Sequence, residues 1–331
     1  MSLASYFESR GDKGIVIFAG KGGLGKTTCS AALSHFMATQ RHRRVLCFST
    51  DPQASLSDIF DRDIFGKGTV SVEPNLDVVE IDADKRVADY QNEVKQKILT
   101  MYGLTELPPE IEEYIDSTSA EPAMYESATY DAMVDLVDTR AHDLYVFDMP
   151  PFGHGVRMIA MAEILSKWVG KITEAREKAR EYEAVAATLK GSKVSEDDVL
   201  RELQDIQGKI TRFTDLMVDR KRTSFFMVLI PERMAILDTE RALQMFDALG
   251  LQMAGLIVNQ VYSPEILESA GGGEAAEFLQ NRARMQHTHL DEIKSKFGSK
   301  VVAILPMYPR EPRGLDMIAR VSEDLMHGRE F

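Results

Sequence analysis

Cysteine is scarce in this 331-residue chain, which contains only Cys29 and Cys47. Two thiols cannot form a disulfide framework, and a chain of this length can bury a core large enough to do without one. Both cysteines fall in segments that we predict to be a helix and a strand, where a free thiol packs as a small apolar group. The cysteine content therefore predicts a reduced environment and a cytoplasmic protein.

Long apolar runs are also missing. No window contains about 18 uncharged apolar residues in succession, so we expect no segment that spans a bilayer. Residues 1–13 are polar and of mixed charge, and the apolar run after them ends at Lys21, which is not the pattern of a signal peptide. Hydrophobic residues still make up 44% of the chain, which excludes bulk disorder and predicts a folded globular protein.

Basic residues are in the minority. The chain has 39 Lys and Arg against 52 Asp and Glu, and its formal net charge is −13. A nucleic-acid surface needs clustered cations, so this balance argues against a nucleic-acid partner, although it is compatible with one local basic patch.

Short apolar runs alternate with helix-spaced segments along most of the chain. The candidate strands are residues 14–19, 45–48, 76–81, 144–147, 225–230, 255–258 and 301–305. Buried strands separated by helices pair in parallel through right-handed crossovers. We therefore predict an α/β fold with a mostly parallel, doubly wound sheet and helices on both faces.

The middle of the chain differs from this pattern, because residues 155–222 contain no strand-like run and are dense in Glu, Lys, Arg and Ala. Apolar residues recur there at spacings of four and three, which is typical of a helix; they are Val199, Leu203, Ile206, Ile210, Phe213 and Met217. We predict one domain over residues 1–331, with a core of 13–154 and 223–325 and an inserted helical subdomain at 155–222.

A glycine-rich loop directly follows the first predicted strand and fits the pattern G-x-x-x-x-G-K-[ST]. It comprises Gly20, Lys21, Gly22, Gly23, Leu24, Gly25, Lys26 and Thr27, followed by Thr28. Such glycines let backbone N–H groups surround phosphate oxygens, and the next helix directs its positive N-terminus at them. We expect Lys26 to reach the β- and γ-phosphates and the Thr27 hydroxyl to hold Mg²⁺.

Two aspartates follow predicted strands, at the sheet edge where such folds place catalysis. Asp51 is a candidate for orienting or deprotonating the attacking water, and a candidate metal-side carboxylate. Asp148 fits a carboxylate on the Mg²⁺ side, reached through water, and the Pro/Gly loop after it could change conformation with the γ-phosphate. For either residue taken alone, a helix cap or a turn role is the alternative.

The loop form K-G-G-x-G-K-T-T resembles the deviant P-loop ATPases, which include MinD, ParA, the nitrogenase iron protein, ArsA and the guided-entry ATPase for tail-anchored proteins. The resemblance implies ATP and Mg²⁺ as ligands and a nucleotide-dependent homodimer. It also implies that Lys21 reaches the phosphates of the other subunit, as an arginine finger would. A solvated loop lysine is the alternative for Lys21.

Segments in the C-terminal third resemble the ArsA and guided-entry branch, and the resemblance implies three nucleotide contacts. Asn259 would hydrogen-bond the adenine base, and Glu232 would contact the nucleotide across the dimer. The adenine loop would supply Pro306, Met307 and Tyr308. Without the family context, Asn259 could be a turn residue and Glu232 a helix cap. Gln53-Ala54 and Met149-Pro150 depart from this branch towards ParA and MinD.

Relatives in both branches use cysteines that this chain lacks. No thiol follows Cys47, so we expect neither a zinc-bridged dimer nor an inherited metalloid site, and His287 and His289 are better explained by a solvated helix face. An apolar, Met-rich stretch at 156–168 could hold a hydrophobic client helix or could pack against 199–217.

These patterns predict a Mg-ATP-hydrolysing homodimeric switch of the ArsA and guided-entry class. The first hypothesis is an arsenical pump-driving ATPase that acts with a membrane pump subunit to export arsenite-type anions. The alternative is a cytosolic factor that captures the transmembrane helix of tail-anchored proteins. A positioning ATPase of the ParA or MinD type is a second alternative.

Overall fold

The structure, a computed structural model, describes residues 2–10, 14–51, 53–102, 104–118, 122–150, 167, 169–178, 180, 198–264, 266 and 273–328. One eight-stranded sheet organises these residues. Its strands are β1 Gly14–Ala19, β2 Val45–Ser49, β3 Val70–Glu73, β4 Leu76–Glu80, β5 Leu144–Asp148, β6 Thr223–Leu229, β7 Met253–Val261 and β8 Val301–Pro306.

Helices occupy the connections between the strands. They are α1 Leu3–Arg10, α2 Lys26–Thr39, α3 Ser55–Phe60, α4 Ala83–Tyr102, α5 Pro109–Thr118, α6 Pro122–Asp138, α7 Asp198–Val218, α8 Arg233–Ala248, α9 Glu274–Phe297 and α10 Gly314–His327. A 3₁₀ turn covers Gly298–Lys300, and residues 169–178 are helical as well.

The strand order in the sheet is β3-β4-β2-β5-β1-β6-β7-β8, and every pair except β3–β4 is parallel. Every residue of β2, β5 and β6 is buried, as expected of central strands that are covered on both faces. Strands from both sides of residues 155–222 join this one sheet. The predicted α/β fold with a mostly parallel sheet is confirmed.

Two elements were not predicted from the sequence. The edge strand β3 pairs antiparallel with β4 through a tight turn at Asn75, whose φ of 66° an asparagine tolerates. The helix α1 lies in the polar segment 1–13, yet its Leu3 and Phe7 side chains are buried. The hydroxyls of Tyr6 in α1 and Ser224 in β6 are hydrogen-bonded to each other at 2.7 Å. Both elements are short, so neither carries a long apolar pattern.

Part of the predicted helical insertion lies in the described residues. In α7 the side chains of Ile210, Phe213 and Met217 are buried, and the Phe213 ring meets the edge of Tyr130 in α6 at 4.9 Å between centroids. Residues 151–166 and 181–197 and the side chains of Val199, Leu203 and Ile206 lie outside the described residues. The inserted subdomain therefore stays a prediction.

Both cysteines are fully buried, as predicted. Burial raises the pKa of Cys47 to about 12 and raises the pKa of Cys29 further, so both thiols stay protonated and act as packing groups. Within the described ranges, no helix is both long enough and apolar enough to cross a membrane.

Candidate functional site

The carboxyl ends of β1, β2 and β5 meet in the middle of the sheet. The parallel register places Asp148, the last residue of β5, beside Phe18 of β1 and Ser49 of β2. Ser49 Oγ donates a hydrogen bond to the Asp148 carbonyl at 3.3 Å. The chain leaves β1 into the glycine-rich loop and leaves β2 towards Asp51. The fold thus brings the three predicted phosphate and metal segments to one edge.

Backbone conformation explains two glycines of the loop. Gly20 has a φ of 151° and Gly25 a φ of 97°, which L side chains rarely adopt. A Cβ on Gly20 would lie 2.6 Å from the Val228 carbonyl oxygen, and one on Gly25 would lie 2.1 Å from Asn259 Nδ2. Glycine at these two positions lets the loop pack against β6 and β7 and turn directly into α2.

The first turn of α2 presents free backbone donors to a cleft. Lys26, Thr27 and Thr28 line that cleft, the residue before them makes no side-chain capping bond, and the first turn contains no acidic residue. Lys26 Nζ is buried in the loop and donates to the Lys21 carbonyl at 3.2 Å. Uncapped N–H groups and a lysine at a helix N-terminus form an anion-binding arrangement.

Thr27 and Asp148 are hydrogen-bonded to each other. Thr27 Oγ1 donates to Asp148 Oδ2 at 2.7 Å, and Ser30 Oγ donates to Asp148 Oδ1 at 3.4 Å. Asp148 is 2% exposed, and burial raises its pKa to about 6, although the Thr27 hydrogen bond and the Lys26 charge oppose the shift. The Thr27 hydroxyl and the Asp148 carboxyl group lie side by side, and Mg²⁺ prefers oxygen donors of these kinds. A buried carboxylate is costly to ionise without a nearby cation, which a bound Mg²⁺ would supply.

Asp51 lies on the wall of the same cleft. Its backbone N–H donates to Ser49 Oγ at 3.1 Å, and its carboxylate accepts the Gln53 N–H at 3.1 Å, which fixes the side chain in a turn. The charge of Asp51 contributes to the raised pKa of Asp148. Among the described residues, no three His, Cys, Asp or Glu side chains are grouped so that they could hold a metal ion. Mg²⁺ commonly uses one or two carboxylates together with substrate phosphates, so the pair Asp51 and Asp148 is sufficient for it.

The cleft has a volume of about 770 Å³ and runs from the glycine-rich loop to the segment after β8. The predicted base contacts Pro306, Met307 and Tyr308 all line it. Its volume falls in the range of about 300–1,000 Å³ that small-molecule sites occupy. Tyr308 Oη donates to Asp324 Oδ2 at 2.7 Å, so the hydroxyl of this ring is already paired.

Asn259 also lines the cleft, but its amide is engaged by the protein. Its Nδ2 donates to the Leu24 carbonyl at 2.9 Å, and its Oδ1 accepts the Gln260 N–H at 2.9 Å. The side chain is 5% exposed and pins the glycine-rich loop against β7. Its predicted contact with adenine stays a prediction.

The sequence reasoning missed Glu80, which ends β4 and is buried. Its carboxylate accepts the backbone N–H of Leu56 at 2.7 Å, the N–H of Ser57 at 3.0 Å and the Ser57 hydroxyl. These bonds fix the start of α3, the helix that follows Asp51. In the sequence, the only signal is an acidic residue at the end of a predicted strand, because the residues that Glu80 contacts lie 23 and 24 positions away.

Arg313 is a second residue that the sequence reasoning did not single out as a contact. Its Nε donates to the Asp58 carbonyl at 3.1 Å and its Nη2 to Asp58 Oδ1 at 3.3 Å. Both residues line the cleft. The bond joins the loop before α10 to α3 and so closes one wall of the cleft.

Lys21 and Glu232 are predicted site residues that do not line the cleft. The Lys21 side chain is 58% exposed and pairs with Asp238 of α8 at 3.3 Å, so it points away from the Lys26 side of the loop. Glu232 is 53% exposed and pairs with Arg282 of α9 at 3.4 Å. Their predicted cross-subunit contacts stay predictions. Of the loop after Asp148, residues 151–157 lie outside the described residues.

His287 and His289 lie on α9. The His287 side chain is exposed and sits 3.9 Å from Asp291, and His289 is 3.9 Å from Glu292. Each histidine thus has a carboxylate about one turn further along its own helix. The His287 side chain lies on a solvated helix surface, whereas the His289 side chain is 24% exposed and its Nδ1 is buried without a hydrogen bond to the described residues.

Comparison with known proteins gives a consistent result. The family model described as "Anion-transporting ATPase" matches residues 13–327. A protein of Halobacterium salinarum named as an arsenical pump-driving ATPase is 30% identical over 321 residues, which cover 96% of this chain but 45% of that protein. A second protein with that name, from Aquifex aeolicus, is 29% identical over 316 residues, 95% of this chain and 99% of its own length. "ATPase GET3" of Chaetomium globosum is 27% identical over 338 residues, 98% of this chain and 93% of its own.

Proposed function

This chain belongs to the anion-transporting ATPase family, and from that membership we propose that it is a dimeric switch that couples ATP hydrolysis to an arsenite-type anion pump. It is an ATPase, and the family implies that it uses nucleotide. One observation carries the proposal of the site: Lys26, Thr27, Asp51 and Asp148 converge at the carboxyl ends of three neighbouring strands.

Each residue of this convergence has a role that its surroundings support. The N–H groups of α2 and the Lys26 ammonium would hold the phosphates of ATP. Thr27 and Asp148, with Asp51 near them, would hold Mg²⁺, which supplies neutralisation of phosphate charge. Asp51 would orient the attacking water and accept its proton, since its carboxylate is fixed by the Gln53 N–H and faces the cleft.

The remaining predicted residues would complete the site. Pro306, Met307 and Tyr308 would contact the base, and Asn259 would do so from the position where it holds the Leu24 carbonyl. Lys21 and Glu232 would act on the nucleotide of a second copy of the chain. Lys21 must release Asp238 to do this, because the ion pair holds its ammonium on its own α8.

The proposal that this ATPase drives an anion pump rests on the names of its relatives and not on the geometry of the cleft. Two of the relatives named above are named as arsenical pump-driving ATPases. The one from Aquifex aeolicus matches this chain over 99% of its own length. Capture of tail-anchored proteins is the second candidate, which the near full-length match to ATPase GET3 and the Met-rich stretch at 156–168 favour.

One comparison separates these two outputs. ATP hydrolysis by the purified chain is measured with and without arsenite or antimonite, and beside it the capture of a purified tail-anchored protein in detergent-free buffer. The pump hypothesis predicts stimulation by the metalloid and no stable capture. Stable capture without any response to the metalloid would replace the pump hypothesis with the targeting one. Asp51→Asn, which should bind ATP without hydrolysing it, supplies the blank for both assays.

A further inference from the structure

Three loops lie at the amino ends of the strands, the end of the sheet opposite the ATP cleft. They are residues 40–44 before β2, 139–143 before β5 and 219–222 before β6. The Asp143 N–H donates a hydrogen bond to the Arg44 carbonyl at 2.8 Å, which joins the first two loops directly. The third is joined to them through β1, where the Gly14 N–H donates to the Asp143 carbonyl at 3.2 Å and the Ile15 N–H to the Arg222 carbonyl at 2.7 Å. We call the surface of these three loops the basic edge.

The basic edge reverses the charge of the rest of the chain. Its three loops contain seven Arg or Lys residues and two Asp, in a protein whose net charge is −13. Strands of this length separate the two edges of the sheet by roughly 17–20 Å, so these cations cannot contact a nucleotide in the cleft. The charges therefore have no role in the proposed ATPase site.

Several of these cations are not used in pairing within the fold. Arg44 pairs with Asp143 at 3.3 Å, and Arg41 lies 3.6 Å from Glu8. Arg140, Lys221 and Arg222 are exposed, and no ion pair or side-chain hydrogen bond joins them to the described part of the chain. Exposed cations without internal partners remain available to an anionic partner.

Two recesses flank the loop 219–222, and each has apolar side chains in part of a mixed polar and apolar wall. The larger, about 270 Å³, has Val137, Phe213 and Leu216 in its wall. Its charged lining residues are the four cations Arg140, Lys209, Arg212 and Arg222 and the three aspartates Asp138, Asp215 and Asp219, which leaves an excess of one positive charge. The smaller, about 110 Å³, has Met217, Phe225 and Met253 in its wall and Arg220 beside them. Val218 between them is 43% exposed. A recess beside a cation accepts an apolar side chain next to a carboxylate, whereas a flat bilayer surface cannot enter it.

We propose that the basic edge is a docking surface for an acidic protein segment that also carries apolar anchor residues. Carboxylates of the segment contact Arg140, Lys221 and Arg222, and its apolar side chains enter the two recesses. The surface lies away from the ATP cleft, so the partner binds without blocking nucleotide exchange. Because exposed charges contribute, binding weakens as salt is raised.

The test uses the full chain and a fluorescent synthetic peptide of repeated Asp, Glu and Leu, with binding followed by anisotropy. The double variant Arg140→Glu/Arg222→Glu should weaken binding about tenfold or more, because two attractive charges become repulsive. The control Lys85→Glu/Lys171→Glu makes the same charge change at exposed sites outside the three loops and should bind like the wild type. ATP hydrolysis should be unchanged in both.

A second set of probes identifies the partner class. The same peptide with Ser in place of Leu should bind more weakly, because it cannot fill the recesses. Vesicles containing phosphatidylserine should bind no better to the wild type than to the double variant. Equal losses in the two double variants, equal binding of the Ser and Leu peptides, no peptide binding, or binding to vesicles alone would each overturn the proposal. Lys221→Glu alone repeats the test if the double variant does not fold.

Discussion

At the carboxyl ends of β1, β2 and β5 the chain offers backbone N–H groups, one buried lysine and two carboxylates, whereas the amino ends of β2, β5 and β6 expose arginine and lysine side chains. Asp148 at the first edge is buried, and its pKa is raised to about 6. Arg140, Lys221 and Arg222 at the second edge are exposed. An acidic protein would therefore bind anions at both edges, by fixed backbone dipoles at one and by exposed cations at the other.

The difference predicts how each edge responds to mutation. A site made of fixed dipoles and buried charges depends on exact backbone geometry, so a single substitution there removes function. A surface of exposed side chains distributes its contribution over several residues, and each exposed charge contributes no more than about 1 kcal/mol.

The largest effect is expected for Lys26→Ala at the carboxyl edge. Loss of the buried ammonium leaves the phosphate oxygens with the N–H donors alone, so ATP hydrolysis should fall at least about a hundredfold. The matched change at the amino edge, Arg222→Ala, should leave hydrolysis within about twofold of the wild type. Steady-state phosphate release measures both. Similar losses in the two variants would show that the edges are not functionally distinct.

A smaller effect, on stability, is expected for Asp148→Asn. The pKa of Asp148 in the folded protein, about 6, lies above the ordinary aspartate value of 3.8, so the native state binds one more proton than the unfolded state between these two pH values. The contribution of Asp148 to the free energy of unfolding of the wild type should therefore fall, by roughly 2 kcal/mol, as the pH rises from 4 to 7. The Asn variant has no carboxyl group to ionise at this position, so its free energy of unfolding relative to that of the wild type should increase over the same pH range.

Urea denaturation of the nucleotide-free and Mg²⁺-free protein at pH 5 and pH 7 measures this difference. The m value should be the same for both proteins, which confirms that the same surface unfolds. An advantage of Asp148→Asn that is constant with pH would contradict the cause given for the raised pKa.

The smallest effect is expected for Asp238→Asn, which breaks the ion pair between Asp238 and Lys21. An exposed ion pair contributes at most about 1 kcal/mol, so Asp238→Asn should release Lys21 and raise hydrolysis no more than about fivefold. Lys21→Ala should instead lower hydrolysis and weaken dimerisation with a non-hydrolysable ATP analogue, measured by light scattering. A protein that stays monomeric with the analogue would remove the cross-subunit role of Lys21. A rise in hydrolysis in both variants would show that Lys21 is inhibitory.

The sequence predicted those parts of the fold that have long local patterns. Seven strands were found because their buried Val, Ile, Leu and Phe residues form continuous runs. The strand β3 has four residues and one buried side chain, so its pairing with β4 leaves almost no trace in the sequence. The helix α1 was missed because three buried residues are spread among polar ones.

The same limit applies to the site. The glycine-rich loop, Asp51 and Asp148 could be predicted because each lies directly after a strand that could itself be predicted. Glu80 and Arg313 could not be assigned partners, since the Arg313 contact with Asp58 joins residues 255 positions apart. The ion pair of Lys21 with Asp238 could not be predicted either, because tertiary packing places α8 beside the glycine-rich loop and no local sequence pattern indicates this contact.

The central claim is that ATP is hydrolysed where the glycine-rich loop, Asp51 and Asp148 meet, with Asp51 as the residue that orients the water. The most direct test measures ATP binding by isothermal titration and Mg²⁺-dependent single-turnover hydrolysis in Asp51→Asn. The claim predicts that binding persists and that hydrolysis falls at least about a hundredfold. Hydrolysis at the wild-type rate in Asp51→Asn would contradict it.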